Sequence, residues 1–368
     1  CAGCIYYAGA KNGTRASPSL SQYTRIKMKT GSEYLEKFLE AGWVMRILVA
    51  TMAIYLLLSM VMGIYWSSEP EPFSVTEAAK IHASNNNTKV TTGYTTTVAL
   101  MQVANTLLDK SGGYLSNDIA PPGVWLDNIP HWEFGALVQV RDLSRALRKD
   151  FSRSQSQSTE DVDLSIAEPQ FHFDNYSWAL PDSEGEYRRG INKLNNYVLR
   201  LADSSKGQAQ FYARADNFRQ WLKDVETRLG SMSQRLSASV GQKRLNVDLA
   251  GDAQATQSTE NEDEFEVKTP LFEIDDVFYE ARGTAWALIH FFKAMEVDFK
   301  DVLQKKNALV SVRQIVRELE ATQQSIGSPI ILNGDGFGMS ANHSLVMASY
   351  IARANAGIID LRELLSQG

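Results

Sequence analysis

The chain has almost no cysteine. Cys1 and Cys4 are the only two among 368 residues. That excludes a disulfide-stapled fold and a cysteine-based structural zinc site beyond residue 4. Their CxxC spacing has no second pair and no strand–helix context, so it assigns neither redox nor metal chemistry. With 10 prolines and 24 glycines, the composition also excludes collagen-like and mucin-like chains. Catalytic signatures are missing too. The five histidines form no HExxH, no HxH and no Cys/His pair, and the chain holds no Gly-x-Ser-x-Gly elbow. The formal net charge of −6 disfavours a nucleic-acid partner. The sequence therefore assigns no catalytic residues, no metal site and no cofactor.

Charge is also missing over one long stretch, Ile47 to Ser68, which reads ILVATMAIYLLLSMVMGIYWSS. At about 1.5 Å per residue, roughly 20 residues cross a bilayer core of about 30 Å. Trp43 stands at one end, Tyr65 and Trp66 at the other, where amphipathic rings favour the headgroup level. The stretch exceeds a cleavable signal core of about 7–15 residues. It reads as an uncleaved transmembrane helix over 47–66, with the lipid bilayer as its partner.

Residues 1–66 carry seven Lys/Arg (Lys11, Arg15, Arg25, Lys27, Lys29, Lys37, Arg46) against three Glu, a net of +4, so the remainder carries −6 − 4 = −10. The far flank begins Glu69-Pro70-Glu71-Pro72. The positive-inside rule places the N-terminus in the cytoplasm and residues 67–368 across the membrane. Residues 28–46 then form a cytoplasmic juxtamembrane segment. Residues 1–27, Ser/Gly-rich and aperiodic, read as a non-native or flexible extension, with Met28 as the expected start.

Beyond the span the chain reads as helix. Ser74 is placed to cap Val75–His82, with Glu77 in the capping-box position. A helix is expected over Thr96–Lys110, closed by Ser111-Gly112-Gly113. Tyr114–Trp132, with Pro121-Pro122-Gly123 and Pro130, is expected as a structured loop, and helix resumes over Glu133–Phe151. Linkers are expected near 152–160 (SRSQSQSTE) and 248–264, the latter strongly acidic. The β-like patches are short: Val90–Thr97 and Ile330–Leu332.

Three segments carry strict heptads. Tyr187, Ile191, Leu194, Val198 and Leu201 step by 4, 3, 4, 3. After Ser204–Gly207 the series Phe211, Ala215, Phe218, Leu222, Val225, Leu229, Met232, Leu236 repeats the alternation. Such steps put every member on one seam of a helix. Two runs joined by a short turn predict an antiparallel helical hairpin. A third, Phe-rich seam runs from Phe278 to Val302. Leu309–Leu319 and Ser340–Leu365 supply further helices. The expected fold is all-α, an elongated helical-bundle ectodomain behind one membrane helix. The heptads serve a dimer equally well, so a homo-oligomer stays open beside an envelope protein partner.

Candidate chemistry is concentrated in one loop. Asp118, Trp125, Asp127, His131, Trp132 and Glu133 crowd together, an aromatic and acidic combination suited to ligand binding. Trp125, Asp127, His131, Trp132 and Glu133 are the candidate ligand-binding residues, although the two tryptophans could instead plug helix ends. His290 reads as a packed histidine. Asn333–Gly338 reads as a turn, because it lacks Gly-Lys-Ser/Thr and places Ser344 where a calcium loop needs its last glutamate.

The segments GIYWSSEP (63–70), GGYLSNDIAPPGVWLDNIPHWEFGALVQVRDLSRALRKDFSRSQSQS (112–158) and GFGMSANHSLVMASYIARANAGIIDLRELLSQG (336–368) together resemble an uncharacterised family of single-pass bacterial envelope proteins. The family is catalogued as a domain of unknown function, number two thousand three hundred and thirty-three. The resemblance covers Met28–Gly368, brings no activity to carry over, and implies a Gram-negative inner membrane with residues 67–368 in the periplasm. Three functions arise as expectations. The first is a non-enzymatic, membrane-anchored scaffold or adaptor; the second a ligand- or lipid/glycan-binding ectodomain; the third a hydrolase built on His131, Glu133 and His290.

Overall fold

The computed structural model describes residues 42–153, 159–203, 207, 209–245, 264–328, 330–334 and 339–367. The expected extension 1–27, nearly all of the juxtamembrane segment 28–46, the turn residues 204–206, the cores of both linkers and Asp335–Gly338 lie outside the described residues. The structure is 70% helix and 2% strand, in keeping with an all-α expectation.

The chain divides into two units, Cys1–Val61 and Met62–Gly368. The described part of the first is most of α1 (Trp43–Trp66), a 24-residue helix with a mean hydropathy of 2.4 in its most apolar window. Its side chains are exposed nearly all round, and it is long and apolar enough to cross a membrane.

The second unit is built around one helix. In chain order it contains α2 (Val75–Asn85), α3 (Tyr94–Asp109), α4 (Asn128–Ala146), α5 (Leu164–Phe171), α6 (Ser183–Ala202) and α7 (Ala215–Ser237). Then come β1 (Gln242–Leu245) and β2 (Glu264–Val267), followed by α8 (Ile274–Asp298), α9 (Lys300–Lys305), α10 (Leu309–Ala321) and α11 (His343–Ser366). Helix α8 packs against α2, α3, α4, α7, α10 and α11. It can do so because Ala281 through Phe292 are all buried. A helix apolar all round belongs in the middle of a fold.

Its closest neighbour is α4. A Cβ on Gly135 would lie 2.0 Å from the Glu280 carbonyl oxygen, and one on Gly283 would lie 1.9 Å from that of Trp132. The two backbones touch, which only glycine permits. The Trp132 and Trp286 rings meet beside the crossing, 5.1 Å apart.

Several expectations are met. Ser74 Oγ accepts from Glu77 N at 3.4 Å and starts α2. The two heptad series fall on α6 and α7, and the Phe-rich seam on α8. The predicted hairpin, however, is corrected. Helix α6 packs on α5 and α3, whereas α7 packs chiefly on α11. The two seams found different partners rather than each other, because a seam specifies burial and not which helix provides it.

Other corrections are local. α4 begins at Asn128 rather than at Glu133, since Pro130 sits in its first turn, where no backbone N–H is needed. The Phe-rich helix breaks at Phe299 before α9. Val90–Thr97 is not extended but leads into α3. The strand pair forms instead where the acidic excursion leaves and returns, with Lys243 opposite Glu266.

Residues just past α1 are built into this unit. The ring of Trp66 lies over Gly112, where a Cβ would come within 2.7 Å of it. The Glu69 carboxylate takes a forked pair of bonds from Arg282 of α8, Nε to Oε1 at 2.7 Å and Nη2 to Oε2 at 2.7 Å. The same guanidinium donates from Nη1 to the Thr322 and Gln324 carbonyls at 3.0 and 2.9 Å, in the turn that follows α10. Phe73 N donates to His290 Nε2 at 3.0 Å, and its ring stacks on the imidazole at 3.9 Å.

Candidate functional site

The candidate residues from the 125–133 segment divide into two groups, set by the helical turn that begins at Asn128. Trp132 and Glu133 face inward and are fully buried. Asp127 and His131, one turn apart, face outward. Trp125 stands in a short 3-10 turn, Gly123–Trp125, with its ring half exposed.

Glu133 is a structural anchor. Its carboxylate accepts from Leu115 N and Ser116 N, both at 2.9 Å, from the Ser116 hydroxyl, and from the Lys110 ammonium. Burial pushes its pKa up, and the adjacent Lys110 charge pulls it back down. Four donors on two oxygens leave this carboxylate no free lone pair for a ligand. They pin the 110–116 loop to α4 and also occupy Ser116. Trp132 fills the α4–α8 crossing, in line with the helix-plug expectation.

His131 and Asp127 line a cleft of about 460 Å³ with Tyr176, Arg235, Glu273, Asp276 and Glu280. His131 Nε2 is 3.3 Å from Asp276 Oδ1 and 4.0 Å from Asp127 Oδ1. The His131–Asp276 contact is not aligned as a hydrogen bond, and the buried Asp276 Oδ1 has no such partner among the described residues. One ligand atom from each of the three lies within 4.8 Å of the others. Two carboxylates and an imidazole are a donor set suited to a divalent cation. Burial raises the pKa of Asp276; His131 opposes this, and Asp127, Asp275 and Glu273 add to it. Arg235 is not free to neutralise them, because its guanidinium is held by Glu280 at 2.8 and 2.6 Å. The cleft is thus an acidic site at the adjoining N-terminal ends of α4 and α8.

Asp276 is the member that sequence reasoning missed. Asp275-Asp276 at a helix start reads as compensation for the helix dipole, and nothing local says that it faces His131. The α4–α8 crossing decides that.

The other histidines do not join the site. His290 Nδ1 bonds the Trp286 carbonyl at 2.7 Å while Nε2 accepts from Phe73. It is a neutral imidazole with a fixed tautomer, and burial lowers its pKa to about 4. His82 bonds the Tyr94 hydroxyl and Asn195. His131, Glu133 and His290 therefore serve three separate sets of partners. Of the Asn333–Gly338 turn, Asn333 and Gly334 are described. Both are held by Asn342, whose side-chain oxygen also caps α11.

A family model described as an uncharacterized protein conserved in bacteria, DUF2333, matches residues 38–368. No curated protein and no solved structure matches the chain.

Proposed function

The chain belongs to this family of uncharacterized proteins conserved in bacteria, and we propose that it is a single-pass inner-membrane protein whose helical domain works in the periplasm as a non-enzymatic scaffold or adaptor. In this reading α1 crosses the bilayer, the N-terminus is cytoplasmic, and residues 67–368 meet another envelope component.

The observation that carries the reading is the junction behind α1. Trp66 on Gly112, Glu69 on Arg282 and Phe73 on His290 seat the residues leaving the apolar helix in the domain's own core. A tether that only retained a soluble domain would need no such clamp. A protein that holds a partner at a fixed place on the membrane does. Of the three residues expected for a hydrolase, Glu133 is held by Leu115, Ser116 and Lys110, and His290 by Phe73 and Trp286, so His131 stands apart from both.

Crosslinking in intact cells, detergent extraction and mass spectrometry test the scaffold. A stoichiometric envelope protein is the expected product. A homogeneous monomer or dimer without partner would overturn it. Alkaline phosphatase fused behind residue 368 should be active, and an inactive fusion would reverse the topology.

A second reading is a ligand-binding ectodomain, favoured by the Asp127–His131–Asp276 cleft. The chemistry there suits a cation or a cationic group. A thermal-shift screen with divalent metals and amines tests it, and a flat screen removes it.

A further inference from the structure

Beyond α1, exposed aromatic side chains are few among the described residues of the second unit. Among the described residues they are Trp125, Tyr176 and Trp178, with Phe272 next to Glu273 of the cleft that Tyr176 also lines. Trp125 and Trp178 come from two loops that the fold ties together. Asn117 Nδ2 donates to the Ser177 carbonyl at 2.8 Å and to Glu184 Oε2 at 2.7 Å. Tyr114 OH donates to the Asn175 carbonyl at 3.2 Å. Ile119, Trp178 and Leu180 line one shallow surface cleft, and Leu180 is 98% exposed. So much apolar surface held out on ordered loops marks an interaction face.

The occupant is set by where the first loop is seated. Pro122 and Leu126 pack on Gly63 of α1, each 3.6 Å from where a Cβ would be. Gly63 lies three residues before Trp66, about 4.5 Å down the helix axis. With Tyr65 and Trp66 at the headgroup level, Gly63 is at the edge of the hydrocarbon, and the loop packed on it is at that depth too. The loop is ordered. Trp125 N donates to the Pro122 carbonyl at 3.0 Å and Leu126 N to the Gly123 carbonyl at 2.9 Å. Its ring and aliphatic groups point away from the core, as Val124 and Trp125 are both 52% exposed.

We propose that the Ile119–Trp125 and Trp178–Leu180 loops are a second membrane contact, an interfacial foot that dips into the outer headgroup layer at the level of Gly63–Trp66. The inference rests on the reading that α1 spans the membrane. Interfacial apolar groups of this kind enter roughly 5–10 Å. The charged neighbours in the cleft are acidic, namely Asp118, Asp182 and Glu184. The attachment is therefore apolar, and anionic lipid does not strengthen it.

Nitroxide depth measurement on the full chain tests this. In a Cys1→Ser, Cys4→Ser background, single substitutions Val124→Cys and Ala179→Cys carry the label and leave both tryptophans in place. Leu57→Cys reports the span, and Val310→Cys, exposed on α10, reports water. The protein is reconstituted in phosphatidylcholine vesicles, with and without phosphatidylglycerol. The expected result is high oxygen and low nickel-chelate collision at 57, intermediate values at 124 and 179, and full nickel-chelate access at 310, unchanged by the anionic lipid. Labels at 124 and 179 as wet as 310, with 57 in lipid, would overturn the foot and leave the anchor standing. A wet label at 57 would overturn both.

Discussion

The backbone N–H of Phe73 donates to His290 Nε2, and the Phe73 ring lies stacked on the same imidazole. Two residues far apart in the chain thus fix the point where the segment behind α1 enters the domain. The bond requires His290 to be neutral, because Nε2 must accept.

That requirement gives a pH dependence. His290 is held at about 4 in the fold, against about 6.5 for an unperturbed histidine. Between these values the unfolded chain binds the proton and the native chain does not. Its contribution is present above about pH 6.5 and is lost as pH falls toward 4. His290→Phe should flatten this slope in urea titrations. It should also cost about 1–3 kcal/mol at neutral pH, because Phe73 N–H is left without an acceptor.

Asp298 runs the other way. Its carboxylate, at the end of α8, takes Thr96 N and Thr96 Oγ1, both at 2.7 Å, and so caps α3, which begins after Gly93 without a side-chain cap of its own. Burial raises its pKa to about 6, so the native chain binds more protons between about 4 and 6. Stability from this group is greatest below that window and is lost as pH rises through it. The two groups offset each other in the wild type. Asp298→Asn should therefore make acid destabilisation steeper between pH 6 and 4, read as Tm against pH.

The α4–α8 crossing tolerates no side chain. Gly283→Ala would place a methyl 1.9 Å from the Trp132 carbonyl oxygen, and the helices would have to part. A loss of about 3 kcal/mol is expected, at the upper end for overpacking. The check is chemical denaturation, with near-UV circular dichroism of Trp132 and Trp286 as the local reporter. Gly230→Ala is the control, since its nearest neighbour would be 3.5 Å away.

Arg282 joins three parts of the chain, and its side chain is 8% exposed. Arg282→Ala strands the half-buried Glu69 and two carbonyls, at a cost of about 3–5 kcal/mol. Arg282→Lys should recover part of this, because an ammonium can pair with Glu69 but cannot fork across it. Limited proteolysis between Glu69 and Phe73 should rise in the same order.

Asp127, His131 and Asp276 should bind a divalent cation. A metal at about 100 times its Kd would stabilise the fold by about 2.7 kcal/mol. His131→Ala should abolish that shift while leaving the metal-free Tm nearly unchanged, because His131 is exposed by about a third. Equal shifts in both proteins would remove the site.

Much of this fold was legible in the sequence, and the reason is local. An uncharged apolar run long enough for a bilayer, a Ser74 cap, and steps of three and four are statements about one segment and its solvent. They located α1, α2, α6, α7 and α8. They failed where a helix begins against a proline, as at Asn128, and where a strand pair closes an excursion whose ends are far apart.

The site was legible by half. The 125–133 segment was marked as one group, yet sequence alone did not separate Asp127 and His131, which line the cleft, from Trp132 and Glu133, which hold the core. Helical periodicity separates them only once the helix is known to start at Asn128. The sequence determined which residues prefer a membrane, a core or water, because those preferences belong to each side chain and its near neighbours. Only the tertiary structure decided which seam met which. It sent α6 to α5 and α3, sent α7 to α11, and brought Asp276 to His131 and Arg282 to Glu69. Such pairings depend on two glycines meeting across a crossing and on complementary faces that no single segment specifies.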